Sequence, residues 1–331
     1  LELIEHLIPE MGTNPCGEII LLSHQLCNLT SVICKPEDTE KSLLNKIRLA
    51  TIVGTFQSSL TDFTFVSRKF KERAELERLL GVSLAGQCDC PILRNSDNSA
   101  HKYGNSNLYA KLRDYSIIVN EKYAQKLGIN RSTCITAVKP DGNLGATVGC
   151  SSGLKPSHSK FFIRRIRCSR NDALSKTLID EGVPYEPEVG QTHENATTYV
   201  FSFPCKSKEN TLLTSDINAL DMLDLWKVAK INYTEHNPSV TVNVTENEWI
   251  DCLYWIKNNW KYVGGLTFFP YENHNFKLAP YEEINEDEYN SFLSTFPKEI
   301  NFGKMIYYEK SSEINQKAVP ACSGEMCERN S

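Results

Sequence analysis

Along most of the 331 residues, short apolar runs of strand length alternate with longer segments of helical spacing. That alternation is the strongest constraint on the fold, because strand, helix and next strand pack most simply as a parallel crossover. Helices are expected at residues 38–63, 67–80, 105–127, 172–181, 215–233, 246–260 and 286–296. The first sets Leu43, Leu44, Ile47, Ala50 and Val53 near helical spacing, while the third and fourth stop at Gly128 and Gly182. Strands are expected at 81–86, 133–138, 198–203, 239–244, 264–269 and 304–308, those at 81–86 and 264–269 buried. Lys139-Pro140-Asp141-Gly142 reads as a turn. Residues 143–157 read as a loop rich in Gly and Ser, and 160–170 carry five basic residues among apolar ones. The expectation is an α/β fold with mainly parallel strands, as one large domain or two ordinary ones.

Charge and cysteine usage narrow the function classes. A net charge of −5 argues against a general nucleic-acid surface. No apolar run reaches the roughly 18 residues that a membrane span needs. The twelve cysteines are not spaced as a small disulfide scaffold, and no Cys-x2-Cys pair marks a zinc ribbon. Cys88-x-Cys90 has no assigned role, and no metal site is expected. A reducing, cytoplasmic location follows. The chain opens on Leu1 rather than Met, as a piece of something longer would.

The chemically dense stretch is Thr13-Asn14-Pro15-Cys16-Gly17-Glu18-Ile19-Ile20-Leu21-Leu22, followed by Cys27-Asn28-Leu29. Pro15 fixes its own φ and pushes Asn14 out of the helical region. Gly17 can take a positive φ that other residues resist. Residues 14–17 therefore read as a tight turn with Cys16 at its tip, and an apolar strand begins after Glu18. A thiol can give up a hydrogen atom or an electron pair, and a carboxylate two residues away can take a proton from a substrate hydroxyl. The plainer alternative is a turn with a buried, inert thiol. At the other end, residues 309–331 are polar and close on Cys322-Ser-Gly-Glu-Met-Cys327, a flexible tail by composition. Two thiols on a mobile end suit thiol–disulfide exchange.

Taken together these segments resemble the ribonucleotide reductases. Asn14-Pro15-Cys16-Gly17-Glu18-Ile19 with Cys27-Asn28-Leu29 is similar to their finger loop and the strand after it. The likeness continues through Leu79-Leu80-Gly81-Val82-Ser83-Leu84-Ala85-Gly86, Val138-Lys139-Pro140-Asp141-Gly142, Ser151-Ser152-Gly153 and Phe161-Phe162-Ile163-Arg164-Arg165. It continues again through Asn237-Pro238-Ser239-Val240 and Gly265-Leu266-Thr267-Phe268-Phe269 to the tail pair. The subtype it most resembles is the monomeric, adenosylcobalamin-dependent ribonucleoside-triphosphate reductase. Tyr307-Tyr308 also resembles the large subunit of a two-protein reductase fed by a metal-generated tyrosyl radical, although both tyrosines read as ordinary strand residues.

The resemblance implies the second half of a ten-stranded α/β barrel, residues 1–308, with a central cysteine finger, plus the redox tail 309–331. It implies a thiyl radical on Cys16 that removes the 3′ hydrogen of a ribonucleotide, Glu18 as acceptor of the 3′ hydroxyl proton, and Asn14 as a hydrogen-bonding neighbour. Cys27 would be one of the reducing pair, its partner lying on an earlier strand in the family. Cys322 and Cys327 would reduce the resulting disulfide and be reduced in turn by a thioredoxin-type protein. Adenosylcobalamin would supply the initiating radical, and the matching N-terminal half is the implied partner. Lys139, Gly142, Asn143 and Gly145 fall in the loop that would meet substrate phosphate. Asn143 and Gly145 stand there in place of hydroxyl residues, with Lys139, Arg164 and Arg165 as compensating cations. A non-catalytic chain that only binds a partner half is the remaining alternative.

Overall fold

The computed structural model describes residues 11–271 and 277–309. The chain divides into two compact units, Leu1–Ser157 with Lys208–Glu272, and His158–Ser207 with Asn273–Ser331. Elements are numbered in chain order.

The first unit opens with a hairpin, β1 (Met11–Thr13) antiparallel to β2 (Ile20–Leu22). β3 (Asn28–Ile33) pairs in parallel with β4 (Leu80–Ala85), from Asn28 opposite Leu80 to Ile33 opposite Ala85. Every residue of β4 is buried, as befits an inner strand covered on both faces. Beyond β4, Val82 bridges Thr136 and Val138 bridges Pro238, both in parallel. β8 (Thr241–Val244) follows and pairs in parallel with β9 (Thr267–Pro270). Parallel segments at 28–33, 80–85, 134–138, 237–244 and 267–270 thus succeed one another in chain order. Among the described residues they do not close into a barrel.

Helices α1 (Glu40–Ser58), α2 (Arg68–Glu77), α3 (Pro91–Arg94), α4 (Ser106–Leu127), α5 (Gly142–Val148), α7 (Ala219–Asn232) and α8 (Trp249–Asn258) complete this unit. Local chemistry fixes their ends. Thr39 Oγ1 accepts from Ser42 N at 3.2 Å and Ser42 Oγ accepts from Thr39 N at 2.9 Å, a reciprocal cap that stabilises α1 by about 1 kcal/mol. Asn105 caps α4 through Leu108 N, and Gly128 closes it at φ +65°. One core gathers Leu80, Val82 and Leu84 of β4 with Leu43 and Ile47 of α1, Tyr109 and Leu112 of α4, and Leu223 and Trp226 of α7. Each such burial is worth roughly 1.5–3 kcal/mol against exposure. The polar tips are satisfied, since Trp226 Nε1 donates to Pro238 O at 2.7 Å and Tyr233 Oη to Val82 O at 2.8 Å.

The second unit is built on a four-stranded sheet ordered β10-β5-β7-β6, antiparallel throughout. β5 (Phe161–Ser169) and β7 (Thr198–Lys206) form its centre, with β6 (Tyr185–Pro187) and β10 (Tyr281–Glu283) outside. α6 (Ala173–Asp180) and α9 (Glu286–Thr295) accompany it. Leu178, Val183, Ala196, Tyr199 and Phe201 form its core. Among the described residues no helix is long and apolar enough to cross a membrane.

Five expectations are corrected. The strands are not mainly parallel, because the sheet of the second unit is antiparallel, a distinction that side-chain period alone does not carry. Residues 143–157 are not all loop: α5 occupies 142–148, ended by Gly149 at φ +63°. Residues 264–269 do not form a buried strand, for β9 begins at Thr267 and is largely exposed. Residues 304–308 are not a strand. Phe302–Tyr307 is a 3-10 helix, tied to the end of α6 by Lys304 Nζ to Glu181 Oε1 at 2.6 Å and by Tyr308 Oη to Asp180. Residues 133–138 are extended but joined to β4 by a bridge rather than a regular ladder.

Candidate active site

Residues 14–19 form the turn of the β1–β2 hairpin. Gly17 N donates to Asn14 O at 3.0 Å, and Gly17 takes φ +73°. Asn14 N donates to Ile19 O at 3.2 Å, and Ile19 N donates back to Asn14 Oδ1 at 2.9 Å. The amide oxygen of Asn14 is therefore engaged in shaping the turn. Cys16 is exposed at the tip. Glu18 points the other way: it is 2 % exposed, and its Oε2 is buried without a hydrogen-bond partner. A buried carboxylate oxygen with a vacant acceptor position is suited to receive a proton or a hydroxyl donor.

Cys27, just before β3, is half-buried. Burial pushes its thiol well above the usual range, and the neighbouring Cys134 and Glu18 push the same way. Cys27 therefore stays a protonated thiol at neutral pH, able to donate hydrogen rather than to act as a ready thiolate. Gly81 of β4 makes the site possible. A Cβ there would lie 2.4 Å from Leu29 Cδ2, 3.3 Å from Ile19 Cδ1 and 3.4 Å from Cys27 Sγ. The structure thus brings Asn14, Cys16 and Glu18 onto one turn, with Cys27 near enough to feel the charge of Glu18.

A second group follows the 134–138 segment. Lys139 N donates to Ser83 Oγ at 2.9 Å, and Lys139 Nζ pairs with Asp141 Oδ1 at 3.4 Å. The Asp141 carboxyl is fully buried; burial raises its pKa, against the lowering by Lys139 and by Ser31 Oγ at 3.3 Å. Asp141 N donates to Ser152 Oγ at 2.8 Å, and a Cβ on Gly153 would strike Lys139 O at 2.6 Å, so the Ser-Ser-Gly stretch packs directly on this loop. Gly142 and Asn143 begin α5, and Gly145 is buried within it, where a Cβ would lie 3.0 Å from Cys150 O. Lys139 is paired to the Asp141 carboxylate and remains partly exposed. Arg164 and Arg165 serve the second unit: Arg164 stacks on Tyr281, and Arg165 pairs with Glu282 at 2.6 Å. Cys322 and Cys327 lie outside the described residues. Among the described residues no three His, Cys, Asp or Glu side chains converge as metal ligands.

Two residues of this site have no role assigned from the sequence, Gly81 and Asn237, the latter donating its backbone N to Glu18 O at 3.0 Å. Each owes its role to segments far away in the chain, so its only sequence signal is membership of the Leu79–Gly86 and Asn237–Val240 stretches.

No family model matches the chain. Curated relatives do. The adenosylcobalamin-dependent ribonucleoside-triphosphate reductase of Lactobacillus acidophilus is 23% identical over 344 residues, 96% of this chain and 45% of that protein. The enzyme of the same name from Euglena gracilis is 23% identical over 319 residues, 96% of this chain and 42% of that protein. That of Lactobacillus gasseri is 26% identical over 306 residues, 84% of this chain and 40% of that protein. The chain spans less than half the length of these relatives. A crystal structure of a B12-dependent (class II) ribonucleotide reductase superposes with a TM-score of 0.74 at 20% identity, covering 93% of this chain and 45% of that one. In fold the chain is similar to that class II reductase, and in sequence it is similar, over most of its length, to the adenosylcobalamin-dependent ribonucleoside-triphosphate reductases.

Proposed function

We propose that this chain is the finger-bearing part of an adenosylcobalamin-dependent ribonucleoside-triphosphate reductase. The observation that carries the reading is the turn itself, which exposes the Cys16 thiol and two residues later buries a carboxylate oxygen with a vacant acceptor position. The similarity to reductases of that name supports it. The parallel segments from β3 to β9 are in this reading the second half of a ten-stranded barrel, with the turn as its central finger.

Access to the thiol is the requirement for the cofactor that this chain can be tested for, and the exposure of Cys16 meets it. The chemistry that adenosylcobalamin supplies when bound is the initiating radical; no described residue is assigned to hold the corrin. The protein's own steps follow. Cys16, as a thiyl radical, takes the 3′ hydrogen of the ribose, so that a C–H bond breaks and an S–H bond forms. Glu18 accepts the 3′ hydroxyl proton while the 2′ hydroxyl leaves as water. Cys27 and a second thiol supply two electrons and two protons and become a disulfide, one proton completing the leaving water and the other entering at C2′. Cys16 returns its hydrogen to C3′ and is left again as the thiyl radical. Cys322 and Cys327 re-reduce it by exchange and are reduced in turn by a thioredoxin-type protein. Asn14 fixes the spacing of Cys16 and Glu18. The substrate is a ribonucleotide, its phosphates near Lys139, Gly142, Asn143 and Gly145, and the location is cytoplasmic. The remainder of the reductase polypeptide is the required partner.

The test is deoxyribonucleotide formation from ribonucleoside triphosphate, adenosylcobalamin and dithiol, with the chain joined to that remainder. Cys16→Ser is expected to reduce turnover to background with an unchanged melting temperature. Serine is nearly isosteric, but its O–H bond is too strong to relay the radical. Turnover near the unsubstituted rate would remove Cys16 from the mechanism.

A further inference from the structure

Asn237 connects the turn to the parallel array. It sits between the 134–138 segment and β8 and is 2 % exposed. Its backbone N donates to Glu18 O at 3.0 Å. Its side-chain Nδ2 faces three carbonyl oxygens, Gly17 at 3.1 Å, Pro238 at 3.3 Å and Gly265 at 3.4 Å. Two of these four contacts fall on the two residues that follow Cys16. Room for the amide comes from Gly264, where a Cβ would lie 2.5 Å from Asn237 Oδ1. Gly265 completes the fit, since a Cβ there would lie 3.5 Å from Gly17 O. Asn237 Oδ1 is itself buried without a hydrogen-bond partner, an arrangement that costs about 1–3 kcal/mol. Packing alone gives no reason for a buried amide here. Its donors do, because they hold the peptide units on the far side of the thiol.

We infer that Asn237 is a positioning residue. It fixes Gly17 and Glu18 to the strand array, so that Cys16 projects outward while the Glu18 carboxylate stays buried. Asn14 holds the turn from within, and Asn237 holds it from outside. The importance of this clamp rests on the proposed role of the turn, but its existence is tested without any assay of catalysis.

The experiment is amide hydrogen exchange on the full chain, comparing the unsubstituted protein with Asn237→Asp and Gly264→Ala. Asn14, Gly17, Ile19 and residue 237 are the reporting N–H groups. Aspartate keeps the shape but replaces the donor. Ionised, it faces the carbonyl oxygens of Gly17 and Gly265; protonated, it can donate one hydrogen bond back. In Asn237→Asp the protection factors of the turn should therefore fall about tenfold or more as the new carboxyl ionises and recover at lower pH. The unsubstituted chain should show no gain of turn protection at lower pH. Gly264→Ala displaces the amide by its Cβ and should lower turn protection at every pH. Leu80 and Val82 in β4 should keep theirs in both variants. Unchanged turn protection in both variants, or a loss shared equally by β4, would overturn the clamp. A missing reductase activity would leave this result untouched, so the two readings fail separately.

Discussion

At the residue scale, the turn was legible because its chemistry is local. Pro15 restricts its own backbone, Gly17 takes the positive φ that other residues resist, and Asn14 bonds to atoms no more than five residues away. The opposite burial of Cys16 and Glu18 was not legible, since it depends on what β4 presents. Gly81 is the sharpest instance. Its neighbours Ile19, Cys27 and Leu29 come from the turn and the start of β3, more than fifty residues earlier. We expect Gly81→Ala to destabilise the chain by about 1–3 kcal/mol through overpacking. Leu29 is 37 % exposed and can swing aside, but Ile19 is buried and cannot. The push should therefore be felt in the turn. Urea unfolding measures the loss of stability, and alkylation of Cys16 and Cys27 followed by mass spectrometry measures the displacement. An unfolding midpoint and alkylation rates equal to those of the unsubstituted chain would show that the contact at Gly81 is loose.

At the element scale, the helices with strong ends were the readable ones. The Thr39–Ser42 cap opens α1, and Asn105 with Gly128 and Asp172 with Gly182 bracket α4 and α6, close to where periodicity placed them, whereas α1 ends at Ser58, short of the expected residue 63. α5 escaped because its glycines argue for loop, whereas its conformation is held by distant partners such as Ser152 against Asp141. The segment before β8 hides a titratable group in the same way. His236 is 3 % exposed, and its ring Nε2 lies 2.9 Å from Leu80 O, which requires the proton on that nitrogen. Burial, against the opposing bond to Leu80 and with a smaller push from Lys230, brings its pKa down to about 4. Its folded pKa is depressed below the ordinary 6.5, so between these values the unfolded chain binds more protons than the folded one. The contribution of His236 is therefore complete above pH 6.5 and is lost as pH falls toward 4, by about 3 kcal/mol at most. Urea midpoints from pH 7.5 to 4.5 should fall in the unsubstituted chain and fall less in His236→Asn. Parallel curves for the two would mean that His236 is not buried as a neutral ring.

At the scale of the whole molecule, the α/β class followed from alternation, but strand direction did not. β5 and β7 carry apolar residues at spacings that suit either direction. What settles them as antiparallel is the nine-residue pairing from Phe161 opposite Lys206 to Ser169 opposite Thr198; Arg165 and Arg167 of β5 pair with Glu282 and Glu188. The first unit poses a different question. In α8, Cys252 and Trp255 are buried, yet Ile250 is 79 % exposed and Leu253 and Tyr254 are exposed with it, at positions that share the opposite helix face. β9 offers Phe269 to solvent, and its outer edge has no pairing partner among the described residues. Apolar faces and strand edges of this kind associate. The proposed reading supplies their cover, because the reductases that the chain resembles are more than twice the length it matches. We therefore expect residues 1–331 alone to self-associate and to form no deoxyribonucleotide. Supplied with the remaining reductase polypeptide, by fusion or as a separate chain, they should become monodisperse and active. Sedimentation velocity follows the first change, and turnover with ribonucleoside triphosphate, adenosylcobalamin and dithiol follows the second. Ile250→Glu with Leu253→Glu should make the isolated chain more soluble and should weaken its union with the remainder, since a charge on either residue would have to be buried there. Sustained turnover by a monodisperse chain of 331 residues would refute the half-barrel assignment. Full complementation by the double glutamate variant would place the covering surface elsewhere.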